Sequence, residues 1–129
     1  MGFFSNLFSG AKTQKEEKVL PWIPLNTLEQ LDQIEKTSKT KLQLIFKHST
    51  RCGVSRVILN RFVDGYNLDE TNLDLYFLDL VNYRDVSNEV GYKFQVIHES
   101  PQLLAIKNGL VVAHGSHSSV NTIDLSRFV

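Results

Sequence analysis

The stretch from residue 73 to residue 81, LDLYFLDLV, restricts the fold most, because it is apolar on both faces. Strands of this kind are buried on both sides, as in parallel sheets whose two faces are covered by helices. The shorter run LQLIF at residues 42–46 is a second apolar segment of strand length. The sequence therefore predicts an α/β fold with a central sheet and helices on both of its faces.

Helical and strand-like patterns alternate around these two runs. In the first half, the pattern predicts an edge strand or extended lead-in at 19–25, a helix capped by Asn26 or Thr27, and a strand at 42–46. A second helix follows, which ends at Gly65 and has Val54, Val57, Ile58 and Phe62 on its apolar face. The second half reads as a strand at 73–81, a helix at 85–92, strands at 102–106 and 111–113, and a final short helix capped by Ser118 or Ser119. Asn108-Gly109 between the last two strands is a strong hairpin signal, which makes the predicted sheet mixed.

Composition limits the kind of protein further. The chain has 129 residues and balances 14 basic against 14 acidic residues, and at this length it buries a sizeable core without disulfides or metals. The zero net charge and the few aromatic residues near its basic segment disfavour nucleic-acid binding. No window approaches the roughly 20 apolar residues of a membrane span, so we expect no stable membrane insertion.

Residues 1–18 differ from the rest and predict an N-terminal extension in front of one domain at residues 19–129. Phe4, Leu7 and Phe8 suit either a loosely attached arm or a short amphipathic helix that touches the body or a membrane surface. The first ten residues lack the basic start and long apolar stretch of a signal peptide. We therefore expect a cytoplasmic protein, and we expect it to act as a monomer.

The single cysteine, Cys52, lies between a predicted strand and the start of a predicted helix, in HSTRCGVS. Ligand sites in such folds gather beyond the carboxyl ends of the strands. Helix amides and the neighbouring Arg51 would stabilise its thiolate, and Ser55 on the same helical face would donate a hydrogen bond to the sulfur. The small and polar neighbours Thr50 and Gly53 argue against an inert, buried cysteine.

Charge is distributed unevenly around Cys52. Seven basic residues and no acidic one occupy positions 36–61, namely Lys36, Lys39, Lys41, Lys47, Arg51, Arg56 and Arg61. Seven acidic residues and one basic residue follow at positions 62–89. A thiolate in the basic half would attract an anionic partner, such as a small thiol that carries carboxylates.

Other chemistry is less well supported by the spacing of the residues. His114 and His117 with Cys52 form only a weak metal pattern, because the paired spacings of zinc sites are missing, and we expect no bound metal or cofactor. A Cys-His hydrolase would need a base oriented by a third group, which one sequence does not establish. His48, four residues before Cys52, is expected to be hydrogen-bonded, and His98 is expected in a loop.

Three segments carry a resemblance to a known family: PWIPLNTLEQLDQI, LIFKHSTRCGVSR and HESPQLLAIKNG. Together they resemble the YtxJ-type monothiol bacilliredoxins, redox proteins of the bacillithiol system with a thioredoxin-like fold. The resemblance implies that Cys52 is the redox-active residue, that Ser55 occupies the resolving position, and that Pro101 is a cis-proline beside the sulfur. Arg51, Thr50, Gly53, Ser100 and Pro101 are then the expected substrate-binding residues.

The resemblance also implies the substrates: bacillithiolated proteins as partners, with bacillithiol as the thiol co-substrate. Because the chain has no second cysteine, an internal disulfide is excluded and only monothiol exchange is open to it. The competing hypothesis is a thioredoxin-like domain that binds proteins or senses oxidation, with Cys52 reversibly capped but without turnover.

Overall fold

The computed structural model describes residues 18–129. Its strands are β1 (Trp22–Pro24), β2 (Leu42–His48), β3 (Leu73–Asp79), β4 (Gln102–Lys107) and β5 (Leu110–Ser116), and its helices are α1 (Leu28–Thr37), α2 (Gly53–Gly65) and α3 (Arg84–Phe94). Two short 3-10 helices, His117–Thr122 and Leu125–Arg127, end the chain. The extension predicted for residues 1–18 lies outside the described residues except for Lys18.

One five-stranded sheet, in the order β1-β3-β2-β4-β5, forms the centre of the molecule. β1 and β2 both pair with β3 in parallel, whereas β4 pairs antiparallel with β2 and β5 pairs antiparallel with β4. The predicted mixed sheet and α/β class are confirmed. The central strand is β2, all seven residues of which are buried.

Side chains of β2 alternate between two apolar clusters, one on each face of the sheet. Leu42, Leu44 and Phe46 pack with Ile58 and Phe62 of α2 on one face. On the other face, Ile45 packs with side chains of α1 and α3, which include Leu31, Ile34, Val86 and Val90. Helices therefore cover both faces, as the two apolar runs predict.

Local signals explain where several elements begin and end. Thr27 caps α1 in a capping box with Gln30, whose side chain reaches back to the Thr27 amide at 3.0 Å. Asn108 and Gly109 have φ angles of 55° and 78°, so both central residues of the hairpin loop adopt the left-handed conformation that a type I′ turn requires. The predicted hairpin is confirmed.

Two local predictions are wrong. Val54 and Val57 are 57% and 49% exposed, whereas Ile58 and Phe62 of the predicted apolar face are buried and Ser55 is buried with them. The final helix is a 3-10 helix whose N-cap is Ser116, with Ser119 completing the capping box. At the final helix, the hydroxyl of Ser116 accepts from the Ser119 amide, which sets the start of the helix two residues before Ser118.

No helix within residues 18–129 is long and apolar enough to cross a bilayer.

Candidate functional site

Three segments meet at one edge of the sheet, where the predicted site residues lie. β2 and β3 end side by side there, since His48 is paired with Asp79. β4 runs in the opposite direction and begins at the same edge, where Gln102 pairs with Lys47. The register therefore brings the loop after β2, which carries Cys52, next to the loop before β4, which carries Pro101.

Cys52 occupies the N-cap position of α2 and is partly exposed. Within the described residues its side chain makes no capping hydrogen bond, and the first turn of α2 holds no acidic residue. The amides of a first helical turn lack partners inside the helix, and their dipoles favour a negative charge beside them. Thr50, Arg51 and Gly53 are exposed around the sulfur, as a site open to substrate requires.

Hydrogen bonds through Ser49 hold the loop in front of Cys52. The Ser49 carbonyl accepts from the Cys52 amide at 3.3 Å, and the Ser49 hydroxyl accepts from the Arg51 amide at 3.3 Å. The Ser49 amide in turn donates to Ser55 Oγ at 3.2 Å. These three bonds tie the loop to the first turn of α2 and so position the cysteine.

The hydroxyl of Ser55 does not serve the sulfur as expected. Ser55 is fully buried, and its Oγ lies 2.8 Å from Nδ1 of His48. Oγ accepts from the Ser49 amide and pairs with His48, and no hydrogen bond joins Ser55 to Cys52 within residues 18–129.

The surroundings of His48 favour the neutral form of its ring. Burial lowers the pKa of His48, the positive charge of Arg56 lowers it further, and Asp79 opposes both effects. The ring packs against Phe77 with centroids 5.6 Å apart. His48 is thus the hydrogen-bonded histidine that the sequence predicts, and its partner is the residue in the resolving position.

The loop before β4 contains a cis peptide bond between Ser100 and Pro101. Pro101 is buried, and its carbonyl accepts a hydrogen bond from the His117 amide at 2.9 Å. The Ser100 hydroxyl is shielded from solvent and has no hydrogen-bond partner in the described part of the chain.

Sequence analysis missed a buried cluster beneath the same loop. Lys47 is fully buried, and its ammonium donates to the Ser87 carbonyl at 3.1 Å and lies 3.2 Å from Nδ1 of His98. Burial lowers the pKa of Lys47 to about 8. Burial also lowers the pKa of His98, with Lys47 and Arg84 adding to the effect and Glu99 opposing it.

This cluster ties the central strand to α3 and to the loop that carries Pro101. A lysine inside an apolar strand is the signal that could have revealed it, since a buried ammonium requires partners. The sequence does not say which partners, because Ser87 and His98 are 40 and 51 residues away.

The basic segment does not form one continuous surface around Cys52. Lys41 is bound to Asp74 at 2.9 Å, at the opposite end of β2, and Lys47 is buried. Arg51 and Arg56 are the exposed basic side chains of this segment close to the cysteine. The positive charge at the site is therefore smaller than the sequence count indicates.

The metal pattern considered above has no counterpart in the structure. Within residues 18–129, no three histidine, cysteine or acidic side chains lie close enough together to hold a metal ion. His114 and His117 are exposed.

Solved structures similar to this chain share one fold. A structure assigned a thioredoxin fold and a proposed oxidoreductase role is 28% identical, with a TM-score of 0.63 over 82% of this chain and 91% of the other. Thioredoxin from Malassezia sympodialis is 17% identical, with a TM-score of 0.64 over 91% and 95% of the two chains. Thioredoxin from Schistosoma mansoni is 20% identical, with a TM-score of 0.63 over 84% and 95%. The protein therefore has a thioredoxin fold.

A comparison of the sequence with protein-family models identifies the family within the thioredoxin fold. The family model described as monothiol bacilliredoxin BrxC matches residues 23–125. The chain belongs to the monothiol bacilliredoxin family, and the resemblance seen in its three sequence segments is confirmed.

The buried ammonium of Lys47 leads to a pH-dependent stability. Between pH 8 and 10.5 the unfolded chain holds a proton on Lys47 that the folded chain has released, so stability rises with pH across this window. Across this window, we expect the free energy of unfolding of wild type to rise by about 1–2 kcal/mol more than that of Lys47→Met. This figure allows for the residual hydration of the Lys47 ammonium. Urea unfolding at several pH values measures this, and parallel curves for the two proteins would contradict it.

The bonds of Ser55 lead to a second expectation. Ser55→Ala leaves the Ser49 amide and His48 without partners, which lowers the free energy of unfolding by about 1–3 kcal/mol. Modification of Cys52 by a small disulfide persists, because the sulfur does not depend on this hydroxyl. Urea unfolding and intact mass measure the two effects, with the exposed Ser118→Ala as control. Equal stability of the two variants would show that the Ser55 bonds contribute nothing.

Proposed function

We propose that this protein removes bacillithiol from protein mixed disulfides through Cys52. The observation that carries the proposal is the position of the only cysteine of a monothiol bacilliredoxin chain, at the uncapped start of α2 with exposed surroundings. A thiolate at this position gains from the helix amides and meets no competing carboxylate in the first turn.

The first step is a thiol-disulfide exchange at the bacillithiol sulfur. The Cys52 thiolate attacks that sulfur, a new disulfide forms between Cys52 and bacillithiol, and the old disulfide breaks. The electron pair of the broken bond leaves with the protein sulfur, which becomes a thiolate and takes up a proton. The substrate protein is thereby reduced, and Cys52 carries bacillithiol.

The second step restores Cys52 and needs another thiol, because the chain has no second cysteine. A free bacillithiol thiolate attacks the bacillithiol sulfur of the Cys52 adduct, forms oxidised bacillithiol, and releases the Cys52 thiolate. Ser55 takes no part in this step, since its hydroxyl is buried and bonded to His48.

Selection of the bacillithiol sulfur requires contacts to the small thiol on the enzyme. Arg51, exposed beside Cys52, supplies a positive charge for the carboxylates of bacillithiol. Ser100 and the backbone beside Pro101 supply the proposed contacts at the neighbouring loop, where the Ser100–Pro101 peptide bond is cis. Thr50 and Gly53 leave the approach open, since a Cβ added at Gly53 would meet no atom within 4 Å.

The surface around the sulfur suits a substrate protein as well. Val54 and Val57, on the exposed side of the first turns of α2, present apolar side chains next to Cys52. Exposed apolar side chains beside a reactive group are typical of surfaces that bind other proteins transiently.

Intact mass spectrometry tests the proposal. Reduced protein is mixed with a bacillithiolated model protein, beside a glutathionylated control substrate and the Cys52→Ala variant. We expect wild type to gain the mass of bacillithiol, to release it when free bacillithiol is added, and to repeat this over many cycles. The glutathionylated substrate reacts more slowly, and Cys52→Ala gains nothing.

Other outcomes separate the competing hypothesis. A single modification of Cys52 without cycling would favour a redox-sensing or protein-binding domain over an enzyme. Transfer to Cys52→Ala would rule out the proposed chemistry, and no adduct from either substrate would show that Cys52 serves another purpose.

The role of Arg51 has its own test. Arg51→Glu replaces an attractive charge with a repulsive one, and we expect bacillithiol transfer to slow about fivefold at low salt, as for an exposed ion pair. The difference shrinks as ionic strength rises. Arg61→Glu, the same charge change ten residues farther along the chain and within α2, is the matched control. Equal rates for the two variants would remove Arg51 from the binding site.

A further inference from the structure

The buried ammonium of Lys47 has no part in the chemistry proposed for Cys52. Lys47 is fully buried, so its side chain does not touch a substrate. Burial lowers its pKa to about 8, which means that its charge costs folding free energy. Replacement of a buried ion by an apolar side chain of similar volume often leaves a protein equally stable or more stable. The packing of the core therefore does not explain a lysine at this position, and its contacts suggest another role.

These contacts join α3 to the loop in front of β4. The Lys47 ammonium donates to the Ser87 carbonyl of α3 at 3.1 Å and lies 3.2 Å from Nδ1 of His98 in the loop. Near neutral pH, below its pKa of about 8, Lys47 is mainly in the ammonium form. Because an ammonium has only protons to offer, Nδ1 of His98 accepts from it.

The surroundings of His98 favour the neutral ring that this contact requires. Burial lowers the pKa of His98, the positive charges of Lys47 and Arg84 lower it further, and Glu99 opposes these effects. His98 as a whole is exposed, whereas its Nδ1 reaches the buried ammonium. The histidine thus connects a charge inside the fold to a loop at the surface.

Hydrogen bonds hold the same loop at both of its ends. The Ile97 carbonyl accepts from Gln102 Nε2 at 2.9 Å, and the Pro101 carbonyl accepts from the His117 amide at 2.9 Å. Both of these bonds use the backbone of the loop. The contact of the His98 side chain with the buried ammonium holds the loop between these two points.

We propose that Lys47, acting through His98, is a positioning residue that holds the loop before β4 in place for the small thiol at Cys52. This inference rests on the proposed function, because Ser100 and Pro101 of that loop supply the proposed contacts. A loop that is ordered before the substrate arrives lowers the entropy cost of binding. Loss of the Lys47 contact therefore weakens substrate binding rather than the reactivity of the sulfur.

Four variants separate this contact from the other effects of a substitution. Lys47→Met removes the ammonium, and His98→Ala removes the loop side of the contact at an exposed position, where the risk to folding is small. His98→Asn keeps an acceptor, since its side-chain oxygen is attached to Cγ as Nδ1 is. Lys41→Met, at the opposite end of β2, where Lys41 is bound to Asp74, is the matched control for the loss of a lysine.

Histidine titration by NMR in the full-length protein tests the contact without any bacillithiol. We expect the pKa of His98 to lie below 6.5 in wild type and to rise in Lys47→Met, because the charge of Lys47 is one cause of the lowering. In Lys41→Met we expect the wild-type value. Urea unfolding shows that each variant is folded.

Steady-state kinetics with a bacillithiolated model protein test the effect on the proposed reaction. We expect KM to rise about fivefold in Lys47→Met and in His98→Ala, as for one lost hydrogen bond, with kcat little changed. His98→Asn recovers most of this loss, and Lys41→Met matches wild type. Alkylation of Cys52 by iodoacetamide, which needs no contact with the loop, proceeds at similar rates in all of these proteins.

Several results would overturn the proposal. Equal KM values for wild type and His98→Ala would show that binding does not need the contact. A loss in His98→Ala without one in Lys47→Met would assign the role to the histidine ring alone. An unchanged titration of His98 in Lys47→Met would show that the two side chains are not in contact. A wild type that transfers no bacillithiol would instead overturn the proposed function, and the titration would still decide whether Lys47 holds His98.

Discussion

The pairing of β2 with β3 is the interaction on which the rest of the structure depends. Seven consecutive residue pairs, from Leu42–Leu73 to His48–Asp79, join the two most apolar segments of the chain. Because both strands are covered on both faces, a shift of one residue would turn Phe46 and Ile45 toward the wrong clusters. The register that forms the core therefore also determines where β2 ends and where Cys52 begins the next helix.

Polar contacts at the end of β2 connect the sheet to the loops of the candidate site. On one face, His48 holds Ser55, and Ser55 holds the Ser49 amide in front of Cys52. On the other face, Lys47 binds α3 and approaches His98 in the loop that leads to Pro101. Lys47 and His48 thus contact the two loops that flank the sulfur, each from one side of the sheet. These contacts explain why a buried strand ends in two polar side chains.

Patterns that depend on neighbours in the sequence were predicted well. The two apolar runs, the cap at Thr27 and the Asn108-Gly109 turn specify their own local structure, and the resemblance of three segments identified the family. Features that depend on distant partners were not predicted. Helical spacing placed Val54 and Val57 inward because it treats serine as polar, whereas Ser55 is buried with its hydroxyl bonded to His48 and to the Ser49 amide. The partners of Lys47 are likewise set only by the fold.

The burial of Ser55 bears on why one cysteine suffices in this protein. A serine in the resolving position that donated to the sulfur would stabilise the thiolate but would also make it a weaker nucleophile. Here Ser55 Oγ is bonded to His48 and to the Ser49 amide, and within residues 18–129 it makes no bond to the sulfur, so the proposed thiolate depends mainly on the amides of α2 and on exposed charge. Thr50, Arg51 and Gly53 around Cys52 are exposed to solvent, and regeneration by a thiol from outside is the route that a chain with one cysteine requires.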